Sequence, residues 1–338
     1  MARTTMRPQR WTPPEDPGLT GVWAPTASLD GAELWPVPGR GPEDVAIDAG
    51  GRALTGLSDG RVLRFPAGGG TPGVVAELGG GQILGVELLP DGRVLCCHAD
   101  RGLVAVDPDG GTTEVLLTEV AGRPLVLTNN ATVAGDGAIL FTESSRRWTL
   151  DDYELDLLEQ TATGSLWRFD PASGDVDRLH TGLVFANGVT LTPDGSAAVV
   201  AETGRYALHR VHLTGPDAGS VDAFARSLPG TPDNLSTGPT GTIWCAVPSL
   251  HVAALDLLVP RAPFLRKVVP YVPEALRPKA NKVGLVLGFD ASGDVTDVLA
   301  GDGSAYSFVT GMREHDGWLY LSALHGKDAL ARVRLDRP

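Results

Sequence analysis

Short runs of alternating apolar and polar residues recur along this chain, each closed by a glycine turn. In "FANGVTLTPDG", Val189 and Leu191 alternate with Thr190 and Thr192 ahead of Pro193-Asp194-Gly195, the pattern of a half-buried strand entering a tight turn. Alignment on the turn glycine gives six nine-residue windows. They are "EDVAIDAGG" from Glu43, "LGVELLPDG" from Leu84, "NNATVAGDG" from Asn129, "NGVTLTPDG" from Asn187, "DNLSTGPTG" from Asp233 and "VTGMREHDG" from Val309. The third position reads Val, Val, Ala, Val, Leu, Gly and the fifth Ile, Leu, Val, Leu, Thr, Arg. One face of each strand is therefore apolar, and the pattern fades only in the last copy. A second strand follows each turn ("RALTGL", "RVLCCH", "AILFTE", "SAAVVAE", "TIWCAV", "WLYLSA"), then a third ("RVLRF", "LVAVD", "SLWRFD", "ALHRVHL", "LVLGFD", "LARVRL").

The windows are spaced by 41, 45, 58, 46 and 76 residues, close to the length of one blade of a β-propeller. The expectation is an all-β, six-bladed propeller. "GAELWPVP" (31–38) supplies the outer strand that closes the ring on the last blade, which protects edges that an open sheet would expose. Residues 1–30 read as an N-terminal extension and 31–338 as a single propeller domain. The two long spacings come from insertions at 144–163 and 249–283, both between second and third strands. Because strands alternate in direction, both short, partly helical insertions should emerge on the face where the innermost strands begin.

Composition agrees with this picture and narrows the function. The 43 glycines and 26 prolines favour many turns over long helices. A net charge of −13 argues against a nucleic-acid partner and fits a monomer or small homo-oligomer acting on a small molecule. No run of about 18 apolar residues predicts a transmembrane helix. The opening "MARTTMRPQRWTPPEDPG" lacks the apolar core of a secretory signal. Three cysteines, Cys96, Cys97 and Cys245, do not form a disulfide framework, and point to the reducing cytoplasm.

The first position of the window raises a chemical question. It reads Glu43, Leu84, Asn129, Asn187, Asp233, Val309. Four of the six carry side-chain oxygens at one register, and innermost strands of a propeller converge on its axis. Glu43, Asn129, Asn187 and Asp233 should therefore meet at one mouth of the central channel. Such a set of hard oxygens with two carboxylates suits Ca²⁺, or another divalent cation. Asn130 and Asn234, at the second position, could add oxygens or orient the ligands.

These residues also carry a resemblance. The stretches "NNATVAGDGAILFTESS", "FANGVTLTPDGSAAVVAETGR", "LPGTPDNLSTGPTGTIWCA" and "REHDGWLYLSAL" resemble the strictosidine synthase-like branch of the gluconolactonase–paraoxonase superfamily of calcium propellers, over roughly residues 40 to 335. By position, the resemblance implies Glu43, Asn129, Asn187 and Asp233 as ligands of a calcium-type ion, with Asn130 standing where an Asp is common. It implies hydrolysis of a lactone or carboxylic ester, whose carbonyl the ion polarises. The plant condensing enzymes of the family use a Glu just before the last turn. Here "SAYSFVTGMREHDG" has no Glu between Ser304 and Arg313, so a condensing or cyclising reaction loses its main residue. A binding propeller without turnover is the third reading.

Two residues are candidates for the base. His98 ends the second strand of blade two, at a place resembling that of a supporting histidine in the paraoxonase branch; a hydrogen-bonded structural role is the alternative. Asp233 could serve beside the metal. Glu143 and Glu202 end second strands and could line the mouth as a second shell, or lie in solvent. His325 could also reach the mouth, whereas His180, His209 and His315 read as strand, loop or turn residues. Neither Ser144 nor Ser249 lies in a nucleophile elbow. Finally, residues 251–279 mix apolar residues with Arg261, Arg266, Lys267, Arg277 and Lys279. They read as a packed cap, or as a lid that shapes an apolar pocket or touches a membrane surface weakly.

Overall fold

The structure is a computed structural model and describes residues 5–261, 263–273 and 280–335. Six sheets, antiparallel except for one added edge strand, form the expected propeller. Their innermost strands are Ala46–Ile47, Ile83–Leu88, Thr128–Val133, Ala186–Leu191, Leu235–Thr237 and Gly311–His315. Each innermost strand pairs with the next strand in the chain. The ring closes as expected: Glu33–Pro36 lies antiparallel on Ala329–Arg334, with Trp35 opposite Leu330. Residues before this strand also join the sheets, since Ala27–Ser28 runs parallel to Val295–Gly301 as a fifth strand of blade five.

The core lies between blades rather than within one. One cluster joins Val199 and Leu208 of blade four to Ile243, Leu285 and Phe289 of blade five. Another joins Trp35 and Tyr320 to Leu63 and Phe65 across the closure. The alternation read from the sequence is thus the alternation of neighbouring-blade contacts. It continues round the ring because each sheet twists against the next.

The sixth repeat carries a correction. Its hairpin pairs His315 with Trp318 across only Asp316-Gly317, whereas the first blade pairs Asp48 with Arg52 across three residues. The shorter turn moves the register by one, so the first position of blade six is Thr310 and not Val309. The third position is then Met312, buried and apolar like the other five. The second position becomes Asp44, Gly85, Asn130, Gly188, Asn234, Gly311.

That alternation has a steric reason. A Cβ on Gly85 would lie 2.8 Å from the Cα of Asn130, one on Gly188 2.5 Å from the Cα of Asn234, and one on Gly311 3.0 Å from the Cα of Asp44. Every second blade therefore gives up its side chain so that the next blade's polar residue can pack against its backbone.

The insertions cap one face. Residues 144–163 contain helix α1, Tyr153–Glu159. Residues 249–283 contain α2, Ala253–Leu258, and α3, Pro263–Arg266, followed by a 3₁₀ turn, Val269–Tyr271. A buried acid organises the first insertion: Glu159 accepts two hydrogen bonds from Arg147, at 2.9 and 3.0 Å, and one from Trp148 Nε1 at 2.8 Å. Arg266 joins the second insertion to the first and to the N-terminal segment. Its guanidinium donates to the Leu158 carbonyl at 2.7 Å and to the Gln9 carbonyl. Arg277 and Lys279 lie outside the described residues.

Candidate metal centre

All four candidate ligands begin innermost strands on the capped face. Asn187 lies within Ala186–Leu191 and Asn129 within Thr128–Val133, while Glu43 and Asp233 precede Ala46–Ile47 and Leu235–Thr237. The chain enters blade four through Phe185, a buried residue at φ 61°. Such a left-handed turn costs a non-glycine residue of order 1–3 kcal/mol. Here it fixes the point at which the strand starts.

The main chain then ties neighbouring blades at this level. Gly188 N donates to the Asp233 carbonyl at 3.2 Å and Asn234 N to the Thr310 carbonyl at 3.0 Å. The Thr310 and Ser322 hydroxyls donate to the Glu43 carbonyl at 2.6 and 2.8 Å.

Burial and partnering then separate the side chains. Glu43, Asn129, Asn187 and Asp233 are 2%, 3%, 3% and 9% exposed. Yet Asn129 Oδ1, Asn187 Oδ1 and Asp233 Oδ1 have no hydrogen-bond partner. Buried oxygens left without donors are uncommon and costly. Three of them stand at one register, in four side chains with two carboxyl groups, and hard oxygens of this kind suit an oxygen-coordinated cation.

The electrostatics agree. Burial, and then the charges of Asp233 and Asp44, hold the Glu43 carboxyl well above its ordinary range. Burial raises Asp233 to about 8, although a hydrogen bond from the Asn187 amide works the other way. Two buried acids of like sign, with no cationic side chain among the described residues acting on either, are short of a positive charge. Among the described residues no three His, Cys, Asp or Glu side chains gather in metal-holding geometry. The fit thus depends on the two amide oxygens.

The other predicted residues take different places. Asn234 Nδ2 donates to both Glu43 oxygens, at 3.1 and 3.0 Å, and so orients that carboxylate. Asn130 is occupied between blades: Nδ2 donates to Asp44 Oδ2 at 3.2 Å and Oδ1 accepts from Val189 N at 3.1 Å. Glu143 and Glu202 are buried, and their oxygens are taken up locally. Glu143 holds Arg123 at 2.9 Å and Val126 N at 3.1 Å, while Glu202 holds Val184 N at 2.8 Å and His209 at 2.6 Å. Each anchors the loop that leads into the innermost strand of its own blade.

His98 is fully buried beneath the Gly79–Gly81 turn, with Nδ1 accepting from Asp100 N at 3.3 Å. Burial lowers its pKa, and the groups acting on it are Gly79, Asp100 and Arg101 rather than the acids at the mouth. His325 is exposed.

Two residues were not singled out by the sequence. Asp44, adjacent to Glu43, is buried and raised to about 6, chiefly by desolvation. Tyr153 of α1 packs on Phe185 with ring centroids 6.1 Å apart, and burial raises its phenol to about 12, with the Asp233 charge among the smaller causes. Tyr153 and Leu157 complete an apolar wall with Leu84, Leu127 and Phe185. Only the third dimension brings an insertion residue within the field of a candidate ligand 80 positions away in sequence.

The comparisons with known proteins fit this geometry. The sequence profile of the strictosidine synthase family matches residues 129–216, and that of the strictosidine synthase-like N-terminal region matches residues 21–65. The adipocyte plasma membrane-associated protein of Rattus norvegicus is 31% identical over 94% of this chain and 89% of its own length. Strictosidine synthase-like protein 13 of Arabidopsis thaliana is 31% identical over 77% of this chain and 72% of its own. The chain belongs to the strictosidine synthase-like family. Solved structures share its fold: a gluconolactonase of Xanthomonas campestris (TM-score 0.63, 19% identity, 91% of both chains) and a regucalcin of Agrobacterium tumefaciens (TM-score 0.61, 16% identity, 88% of this chain and 90% of that one). For this strictosidine synthase-like chain, then, the capped mouth is the region to read for function.

Proposed function

We propose that the protein is a divalent-cation-dependent hydrolase of lactones or carboxylic esters, with Ca²⁺ as the expected ion. The observation that carries this reading is the set of buried, unpartnered oxygens on Asn129, Asn187 and Asp233 beside the Glu43 carboxylate. These four residues would hold the ion. When bound, it supplies a Lewis acid for a carbonyl oxygen.

The chain's own residues do the rest. Asn234 holds the Glu43 carboxylate in place through two hydrogen bonds. Asp233, with Oδ1 unpartnered, is the candidate to accept the proton of an attacking water. The buried cluster of Leu84, Leu127, Phe185 and Tyr153 packs α1 against the entry to blade four and keeps bulk water from that side of the candidate site. Two of the fold's neighbours are described as a gluconolactonase and as calcium-binding, which supports this reading over others.

A condensing reaction has less support. Glu314, the acid nearest the position used by the plant enzymes, has its Oε2 bound to Trp244 Nε1 at 2.8 Å. The three unpaired, buried cysteines suit a reducing cytoplasm.

The test is turnover of a panel of lactones and aryl esters by cation-free protein, with and without added CaCl₂, alongside Asp233→Asn. Hydrolysis that depends on the ion and is lost in Asp233→Asn supports the reading. Hydrolysis indifferent to chelation overturns the metal role, and ion binding without any turnover leaves a binding propeller in its place.

A further inference from the structure

The cap over the mouth presents an apolar ridge to solvent. Leu265, Val268 and Tyr271 are 43%, 56% and 73% exposed, and Phe264 and Leu257 of the same segment are 65% and 56% exposed. These are five of the nine large apolar side chains exposed among the described residues, and they fall within 257–271. The local backbone explains why they share a face. Val268 N donates to the Leu265 carbonyl at 3.0 Å and Tyr271 N to the Val268 carbonyl at 2.9 Å. Such 3₁₀-type turns eclipse residues three apart.

The other ridges of the same segment divide cleanly. Arg266 and Val269 turn inward, Arg266 to the carbonyls of Leu158 and Gln9, and Val269 against the Met6–Trp148–Leu158 cluster. Phe264 and Lys267 form a second exposed ridge. The outward apolar face is therefore not a failure to pack: its inward partner is anchored at three places.

Charge identifies the occupant. The protein as a whole is −13, yet the exposed charges of 249–273 are Arg261 and Lys267, and neither makes an ion pair among the described residues. Asp256, the one acid in this stretch, has its two oxygens engaged by Tyr206 at 3.0 Å and His251 at 2.8 Å. Apolar side chains flanked by cations match the interface of an anionic bilayer. A second copy fits less well, because stacking the ridge on itself would bring Arg261 and Lys267 of each copy together and press two −13 chains against each other.

We propose that the cap segment 257–271 docks the propeller on anionic lipid surfaces, with the ridge of Leu265, Val268 and Tyr271 at the headgroup boundary and Arg261 and Lys267 on acidic headgroups. The candidate metal mouth lies on the docked face, so apolar molecules dissolved in the lipid have the shortest route to it. The proposal stands whether or not the mouth is catalytic.

The test is co-sedimentation of the full chain with phosphatidylcholine vesicles, plain or containing phosphatidylserine. Expected are binding to the mixed vesicles that weakens with salt, a drop to background in Phe264→Ser/Leu265→Ser/Tyr271→Ser, and a loss of about thirtyfold in Arg261→Gln/Lys267→Gln. All substituted side chains are exposed, so thermal melts should be unchanged, and an unchanged melt separates lost docking from lost folding. Absence of vesicle binding, binding that survives the triple substitution, or a concentration-dependent dimer that the triple substitution dissolves would each overturn the proposal. Hydrolysis of a soluble ester by vesicle-free protein reads the site separately.

Discussion

Glu43 and Asp44 are neighbours in the chain and are both buried where the innermost strand of blade one begins, but they are treated differently. Asp44 faces the Arg313 guanidinium, which also pairs with Glu87 at 3.1 Å, and it accepts hydrogen bonds from Val45 N, Val86 N and Asn130 Nδ2 at 2.8, 3.1 and 3.2 Å. Its surroundings carry their own positive charge. Glu43 has Asn234 for a partner, but its charged neighbours are Asp233 and Asp44, both of the same sign. The protein balances its acids internally deeper in the channel and leaves them unbalanced at the mouth. An unbalanced buried pair is destabilising unless something positive arrives, and this difference is the electrostatic ground for the proposed cation at the mouth.

That comparison can be broken in several ways. The largest effect is expected at the mouth. Saturating Ca²⁺ should stabilise the wild type by ~3–4 kcal/mol in thermal melts, as for an ion at 100 to 1,000 times its Kd, and Glu43→Gln or Asp233→Asn should abolish this gain. Without added cation, the same substitutions should raise the melting temperature, because they remove the cost of burying an acid that must take up a proton to stay folded. Unchanged calcium stabilisation in both variants would refute the assignment.

Arg313→Met should act with the opposite sign. It leaves Asp44 and Glu87 without their counter-charge and should lower stability by ~2–4 kcal/mol in urea titrations, a figure reduced for the part of the side chain open to the channel. Adding Asp44→Asn to Arg313→Met should restore part of the loss. A variant as stable as wild type would show that the deeper acids need no internal cation.

A third buried acid tests the rule in the cap. Asp156 of α1 accepts from the Ser145 hydroxyl at 2.6 Å and is pushed up to about 7, first by burial. Folded, it keeps its proton to near neutrality, whereas the unfolded chain loses it near 3.8. The folded state thus binds more protons between those values, and stability falls as pH rises across that window. Asp156→Asn should flatten this dependence and gain ~2–3 kcal/mol above pH 7, measured as denaturation midpoints at pH 5 and pH 8. Equal slopes in both proteins would place the pH dependence elsewhere.

The smallest effect is a surface reference. Arg93 pairs with Asp91 at 2.7 Å and Glu114 at 2.5 Å in solvent. Arg93→Gln should change stability by less than ~1 kcal/mol, and a larger change would mean that exposure does not separate these acids as described.

Periodicity in the sequence was enough for the strand order, the six blades, the closing strand and the shared register of Glu43, Asn129, Asn187 and Asp233, because strand alternation and turn chemistry are local. It misplaced the start of blade six by one residue: a two-residue hairpin and a three-residue hairpin both end in Asp-Gly, and only pairing reveals which is present. It could not assign Glu143 and Glu202 to their loops, enclose His98 beneath Gly81, or find Tyr153 within the field of Asp233. Those outcomes depend on which backbone groups and charges meet across blades and insertions. For the same reason only the tertiary structure separated Glu43 from Asp44: adjacent acids have the same local chemistry, and a counter-charge 270 positions away, Arg313, decides which one is left open.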